Sequence, residues 1–227
     1  MPIEQTKTRE HGQTRANLLE AACKIFAEKG FRDATNADIC ERAGANIAAI
    51  NYHFHDKGTL YAEAWRLGFQ RFREKYPFDG GVSATAPAVQ RLRGYISSLV
   101  RAILDPDDHV WEIVHKEMAY PTGLLAEVMT ESITPIKKAL FDIVRELLGE
   151  KASEQQVRMC EMSVMALCIH PLEIERHRRH LPDNALAFIP PLEASAEEMV
   201  NHVFRFSLAG IEQQRRRIEH GDTDGRE

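Results

Sequence analysis

Cysteine is scarce and forms no recognisable site. The four are Cys23, Cys40, Cys160 and Cys168; no two stand in a C-x-x-C pair, and each falls inside an apolar helical pattern. This argues against a disulfide framework or a zinc knuckle and reads as buried free thiols in a reducing cytoplasm. Long apolar runs are also missing, since none approaches the roughly 20 residues of a membrane helix. Met1 to Gln13 is polar and has no apolar centre, so a secretory signal is not expected there. There is no β-type alternation of useful length and no internal repeat. G-x-S-x-G, a P-loop and H-E-x-x-H are all absent. No catalytic constellation stands out, so the reading is not an enzyme, and no cofactor is expected.

The 227 residues suffice for one large domain or two small ones. Hydrophobic residues make up 44% and charged residues 28%, ordinary proportions for a globular protein. Lysine and arginine number 29 against 34 aspartates and glutamates, a net charge of −5. Residues 1–60 balance at 8 and 8, so the whole deficit lies in residues 61–227. Acidity over the larger part argues against nonspecific wrapping of nucleic acid. It leaves room for a small DNA-contacting surface at the N-terminal end.

Helical spacing dominates the chain. Residues 1–13 read as a disordered polar arm. Thr14 is placed to cap a helix with Leu18, Ala22, Ile25 and Phe26 inward, stopping at Gly30. Thr35 or Asn36 caps a short helix ending at Ala43, with Gly44 making the turn. Asn46 caps a third helix, Ile47 to Phe54, whose buried face is Ile50 and Phe54. Asp56 caps a fourth, Lys57 to about Tyr76, with Leu60, Tyr61, Ala64, Leu67 and Phe72 inward. Short helices around a tight glycine turn are a helix-turn-helix arrangement. Residues 77–86 read as a loop. Helices are then predicted over 87–104, 107–119, 123–148 with a kink or break at Pro135, 153–169 ended by Pro171, and 195 to about 217. Glu173 to His180 reads as a separate short helix, 181–194 as a loop and 218–227 as a fraying tail.

The segment 31–61, with Ile39, Ala43-Gly44-Ala45, Ile50-Asn51-Tyr52-His53-Phe54, Lys57 and Leu60-Tyr61, strongly resembles the DNA-binding domain of the TetR family of bacterial regulators. The resemblance covers residues 14–61 closely. It implies that a short helix enters the major groove and presents Asn46, Ala48, Ala49 and Asn51 to base edges. Asparagine pairs bidentately with adenine, and alanine admits a thymine methyl. Thr35, Asn36, Tyr52, His53 and Lys57 would contact phosphates, which position the protein while bases specify the sequence. The chain departs from the family in one respect. Many members have Lys, Ser or Thr early in this helix, whereas Ile47-Ala48-Ala49 is apolar here. Readout then leans on thymine methyls and DNA shape.

Residues 87–217 resemble the family's helical regulatory domain. Glu117 to Pro135 and His202 to Ile211 look like its CecR-like branch. That implies a dimer admitting a small effector, apolar or amphipathic, lined by Leu99, Ile103, Trp111, His115, Met118, Met129, Ile133, Met162 and Met165. For any one of these, plain core packing is the alternative. The apolar faces of the last two long helices are Val157, Cys160, Val164 and Leu167, with Val200, Phe204, Leu208 and Ile211. In the family these helices make the dimer interface. His177 and His180 are spaced for one helix face, but Arg176, Arg178 and Arg179 surround them, and dense positive charge disfavours a metal dication.

The expectation is an all-α protein with a disordered arm 1–13, a three-helix helix-turn-helix DNA-binding domain 14–61, a helical ligand-binding and dimerisation domain 62–217, and a polar tail. Its function would be that of a cytoplasmic, ligand-responsive repressor that binds a palindromic operator as a homodimer, with no membrane partner. Two other readings stay open: a helical metal-dependent enzyme, and a small-molecule-binding module without DNA binding.

Overall fold

The computed structural model describes residues 3–178 and 193–221. His180 of the His177–His180 pair, most of the loop expected at 181–194 and the end of the tail lie outside the described residues. Among the described residues there are nine α-helices and no strand. No helix among them is long and apolar enough to cross a membrane. The chain divides into two packing units, Met1–Glu74 with Asp107–Ile133, and Lys75–Pro106 with Thr134–Glu227. The first is larger than the expected domain 14–61, because it takes in nearly all of the fourth helix and a later segment.

The first unit holds α1 (Ile3–Asp33), α2 (Asn36–Ala43), α3 (Ala48–Phe54), α4 (Lys57–Lys75, except its last residue) and α6 (Val110–Ala119). Helix α1 begins well before Thr14, so no arm precedes it at 3–13. The stretch Glu4 to Glu10 is mostly long unbranched polar residues, which extend a helix readily. The break at Gly30 is where it was expected: φ 76 and ψ 174 interrupt the helix there. Leu18, Ala22, Phe26, Ile39, Ile50, Phe54, Leu60, Ala64 and Trp65 are fully buried and form the core. On α4 the inward set is Leu60, Tyr61, Ala64, Trp65 and Phe69. Leu67 and Phe72 are only half-buried. Trp65, Phe69 and Phe72 stack in sequence along the helix. Cys23 is buried against α4, its thiol 3.2 Å from the Ala64 carbonyl, and burial pushes its pKa up to about 12.

Glu117 on α6 is buried and fully engaged. Its Oε2 accepts from the Tyr61 hydroxyl at 3.2 Å. Its Oε1 accepts from the Thr122 N–H and hydroxyl and from the Gly123 N–H. One carboxylate thus ties α4, α6 and the following turn together, satisfying donors that would otherwise be costly to bury.

The second unit holds α5 (Ala88–Leu104), α8 (Glu154–Arg178), α9 (Ala196–His220) and most of α7 (Ala126–Leu148). Its core is Leu92, Ile96, Val100, Leu140, Val144, Val157, Val164, Cys168, Val200 and Val203. Ser195 and Glu198 form the capping box that opens α9, as their spacing predicted. Pro135 and Pro171 do not end their helices; α7 and α8 run through them. Each proline removes one N–H and leaves the carbonyl four residues back without its helical donor, a loss the surrounding turns sustain. The separate helix expected at 173–180 is therefore the end of α8.

Candidate nucleic-acid interface

The interface is built on two short helices and the turn between them. Thr35 caps α2 through its hydroxyl, which accepts from the Asp38 N–H, and Asp38 reciprocates by accepting from the Thr35 N–H. Lys29 lies 2.9 Å from the other Asp38 oxygen. That ammonium first, and the Thr35 donors next, hold the Asp38 carboxyl down at about 2. Gly44 ends α2 in the left-handed region at φ 62, which allows the tight reversal into α3. Asn46 Oδ1 then accepts from the Ala48 N–H at 2.9 Å, supplying a partner for one of the unpaired donors at the start of α3.

Ile50 and Phe54 are fully buried and fix the rotation of α3. The Arg15 guanidinium covers the Phe54 ring at 5.1 Å. The opposite side is consequently free of the core: Asn46, Ala48, Asn51 and Tyr52 are exposed, and Ala49 and His53 are half-buried. Tyr52 is 67% exposed and meets the His53 ring edge-on at 4.9 Å. Thr35 is exposed at the head of α2, and Asn36 beside it is half-buried. The Asn36 Oδ1 is buried with no hydrogen-bond partner among the described residues.

Helix α3 ends in strain. His55 has φ 67 and ψ −48, the one non-glycine residue with positive φ among those described. The Asp56 N–H reaches back to the Phe54 carbonyl at 2.8 Å, closing a tight three-residue γ-turn of the rare kind. Asp56 Oδ1 then accepts from the Thr59 N–H and caps α4.

Lys57 is placed differently from the expectation. Its ammonium donates to the carbonyls of Phe31 and Ala34, both at 2.7 Å, and sits 4.3 Å over the Phe31 ring. Phe31 in turn lies against Tyr61 at 5.1 Å. In this structure the cation fastens the end of α1 to the start of α4. Ile47, the first of the three apolar residues that set this helix apart from the family, is 55% exposed immediately before α3. Its apolar character was visible in the sequence, but its exposure depends on the rotation of a seven-residue helix.

The family comparison agrees with this geometry. Residues 18–64 match the N-terminal domain of bacterial regulatory proteins of the tetR family. Residues 88–211 match the C-terminal domain of the HTH-type transcriptional dual regulator CecR. The chain belongs to the TetR family of bacterial transcriptional regulators. Both matching models and the curated relatives carry the names of transcriptional regulators. AcrR of Shigella flexneri is 36% identical over 81 residues, which is 32% of this chain and 38% of AcrR. CecR of Shigella flexneri is 29% identical over 158 residues, 64% of this chain and 69% of CecR. The chain thus aligns with well under half of AcrR. Among solved structures, FadR of Bacillus halodurans, a fatty acid degradation regulator, superposes with a TM-score of 0.64 at 13% identity, covering 87% of this chain and 95% of that one. AibR in complex with isovaleryl coenzyme A and operator DNA gives 0.64 at 16% identity, covering 86% and 97%. At such identities the likeness is one of fold.

The TetR-type regulatory part distributes the expected effector-lining residues over both units. Trp111, His115, Met118, Met129 and Ile133 belong to the first, and Leu99, Ile103, Met162 and Met165 to the second. Ile103 is buried, and Leu99, Trp111, His115, Met129, Ile133 and Met165 are half-buried. Met118 and Met162 stand on the outside instead, 75% and 70% exposed. On α6 the inward residues are Val110, Ile113 and Glu117, which turns the adjacent Met118 outward. The Trp111 indole N–H is buried with no partner among the described residues.

The expected dimer faces are also partly re-assigned. Val157, Val164, Val200 and Ile211 are buried within the chain itself, so they are core. Among the described residues, the large apolar side chains left exposed on α8 and α9 are Met159, Met162 and Phe206. Between these helices lies a groove of about 340 Å³, lined in part by Met159, Cys160, Ser163, Phe206 and Gly210.

Proposed function

We propose that the protein is a cytoplasmic repressor that binds a palindromic operator as a two-fold dimer and releases it when a small molecule binds. The observation that carries this reading is the rotation of α3. Ile50 and Phe54 anchor one side, leaving Asn46, Ala48, Ala49, Asn51, Tyr52 and His53 on or near the other. A seven-residue helix so presented fits the major groove and offers amides and methyl groups to base edges. Thr35 and Asn36 flank it and position it on phosphate, while Lys57 holds the frame. The dimer forms through α8 and α9, where Met159, Met162 and Phe206 are uncovered large apolar groups among the described residues. The effector is apolar or amphipathic; within the first unit, the unpartnered Trp111 indole N–H and the half-buried His115, Met129 and Ile133 support its binding there. Ligand and operator then weaken each other by the same factor.

The test is a titration of full-length protein against labelled duplexes covering the DNA that flanks its own gene. Wild type should retard one fragment, with an affinity that falls steeply as salt rises. The Asn51→Ala, Tyr52→Ala double variant should keep its melting temperature and lose at least tenfold in affinity for that fragment. Equal affinity of the double variant would remove α3 from the interface.

A further inference from the structure

We infer that Ile47 is a specificity-determining residue that reads a thymine C5-methyl group, and that the base pair it faces in each operator half-site is A·T. The inference rests on α3 being the groove-facing helix, as proposed above.

From Asn46 to Asp56 the sequence contains no lysine and no arginine. Those are the side chains that grip guanine O6 and N7, so the helix lacks the usual means of selecting G·C. Its exposed surface offers Ile47, Ala48, two asparagine amides and a phenol. Asn46 has one role already taken, because its Oδ1 accepts from the Ala48 N–H, and its amide N–H groups remain for an acceptor. Asn51 is exposed and suits the paired N6 and N7 groups of adenine.

Ile47 completes the set. Its backbone is already helical at φ −58 and ψ −30, so the side chain leaves the helix start at a fixed angle. Ile50, three residues on, supplies the core contact with no exposure at all, while Ile47 is 55% exposed. A branched apolar side chain held in water gains free energy only by being covered. In the major groove the one apolar group on a base edge is the thymine methyl. Ala48 and Ala49 reach less far, so Ile47 is the longest apolar projection at this end of α3. An amide-plus-isoleucine reader therefore selects adenine on one strand and thymine on the other.

The experiment selects duplexes from a randomised library with full-length protein, then replaces each thymine of the enriched half-site with deoxyuridine, which removes the methyl and nothing else. Wild type should show one thymine per half-site whose replacement weakens binding about fourfold, and about fifteenfold when both half-sites are changed. Ile47→Ala should bind the thymine and deoxyuridine duplexes equally, with an unchanged melting temperature because the residue is largely exposed. Ile47→Val should restore part of the discrimination. If no thymine is sensitive in wild type, or Ile47→Ala keeps the same sensitivity, the assignment is wrong. A library from which wild type enriches no sequence would instead overturn the DNA-binding reading itself, and this inference with it.

Discussion

Two residues at the interface act on stability in opposite directions. At His55 the positive φ forces an L side chain into a conformation that disfavours it by about 1–2 kcal/mol. Glycine there removes the clash and costs some extra chain entropy in the unfolded state. His55→Gly should therefore raise stability by about 1 kcal/mol, read as a higher melting temperature; a lower one would mean that the imidazole itself holds the turn. Asp38 contributes in the opposite sense. Its carboxyl is held from 3.8 down to about 2 by Lys29 and by the Thr35 donors. A depressed acid stabilises the folded state above its unfolded pKa and loses that contribution as pH falls toward the folded one. Wild type should thus lose stability between about pH 4 and 2, and Asp38→Asn should be less stable at neutral pH with a flatter decline across that window. Denaturant melts at several pH values separate the two curves. Parallel curves would show that the reciprocal cap contributes nothing.

The sequence was most informative about helices where their ends carry chemistry. Thr35 or Asn36 at the head of α2, Gly44 after Ala43, Asp56 before Lys57, and Ser195 with Glu198 all mark boundaries the structure keeps within a residue or two. Rotation was less legible. On α4 the aromatic residues Trp65, Phe69 and Phe72 run beside an aliphatic pattern, and spacing alone favoured Leu67 and Phe72 over Trp65 and Phe69. Helix ends without caps were also hard to place, as Pro171 inside α8 and the early start of α1 demonstrate. Lys57 is the sharpest case, because a lysine at a helix start beside a DNA-reading turn looks like a phosphate contact. Its ammonium lies on two backbone carbonyls and an aromatic face. Lys57→Met should destabilise the protein by about 2 kcal/mol. It should weaken operator binding with no change in the slope of log affinity against log salt. A phosphate contact would lower that slope by about one unit per protomer, so the slope distinguishes a frame role from a contact.

At the scale of the whole molecule, the proposed function requires two copies. A single seven-residue reading helix contacts few bases, and a palindrome is recognised only when two such helices lie about 34–36 Å apart. The surface of α8 and α9 offers the means: Met159, Met162 and Phe206 are uncovered, beside a groove that small Ser163 and Gly210 help to keep open. Phe206 is 61% exposed in the single chain, so a charge there should cost the protomer little. In a two-fold dimer through this surface, Phe206→Glu would bring two carboxylates into an apolar contact that cannot hydrate them. Sedimentation should then shift from twice 25.8 kDa to the single-chain mass. Operator affinity should fall about a hundredfold or more, because the second half-site no longer binds as an intramolecular event. The melting temperature at low protein concentration, where wild type also dissociates, should match wild type. A variant that stays dimeric with full affinity would place the interface on another face, and one that loses DNA binding while dimeric would tie Phe206 to the coupling between the two functions.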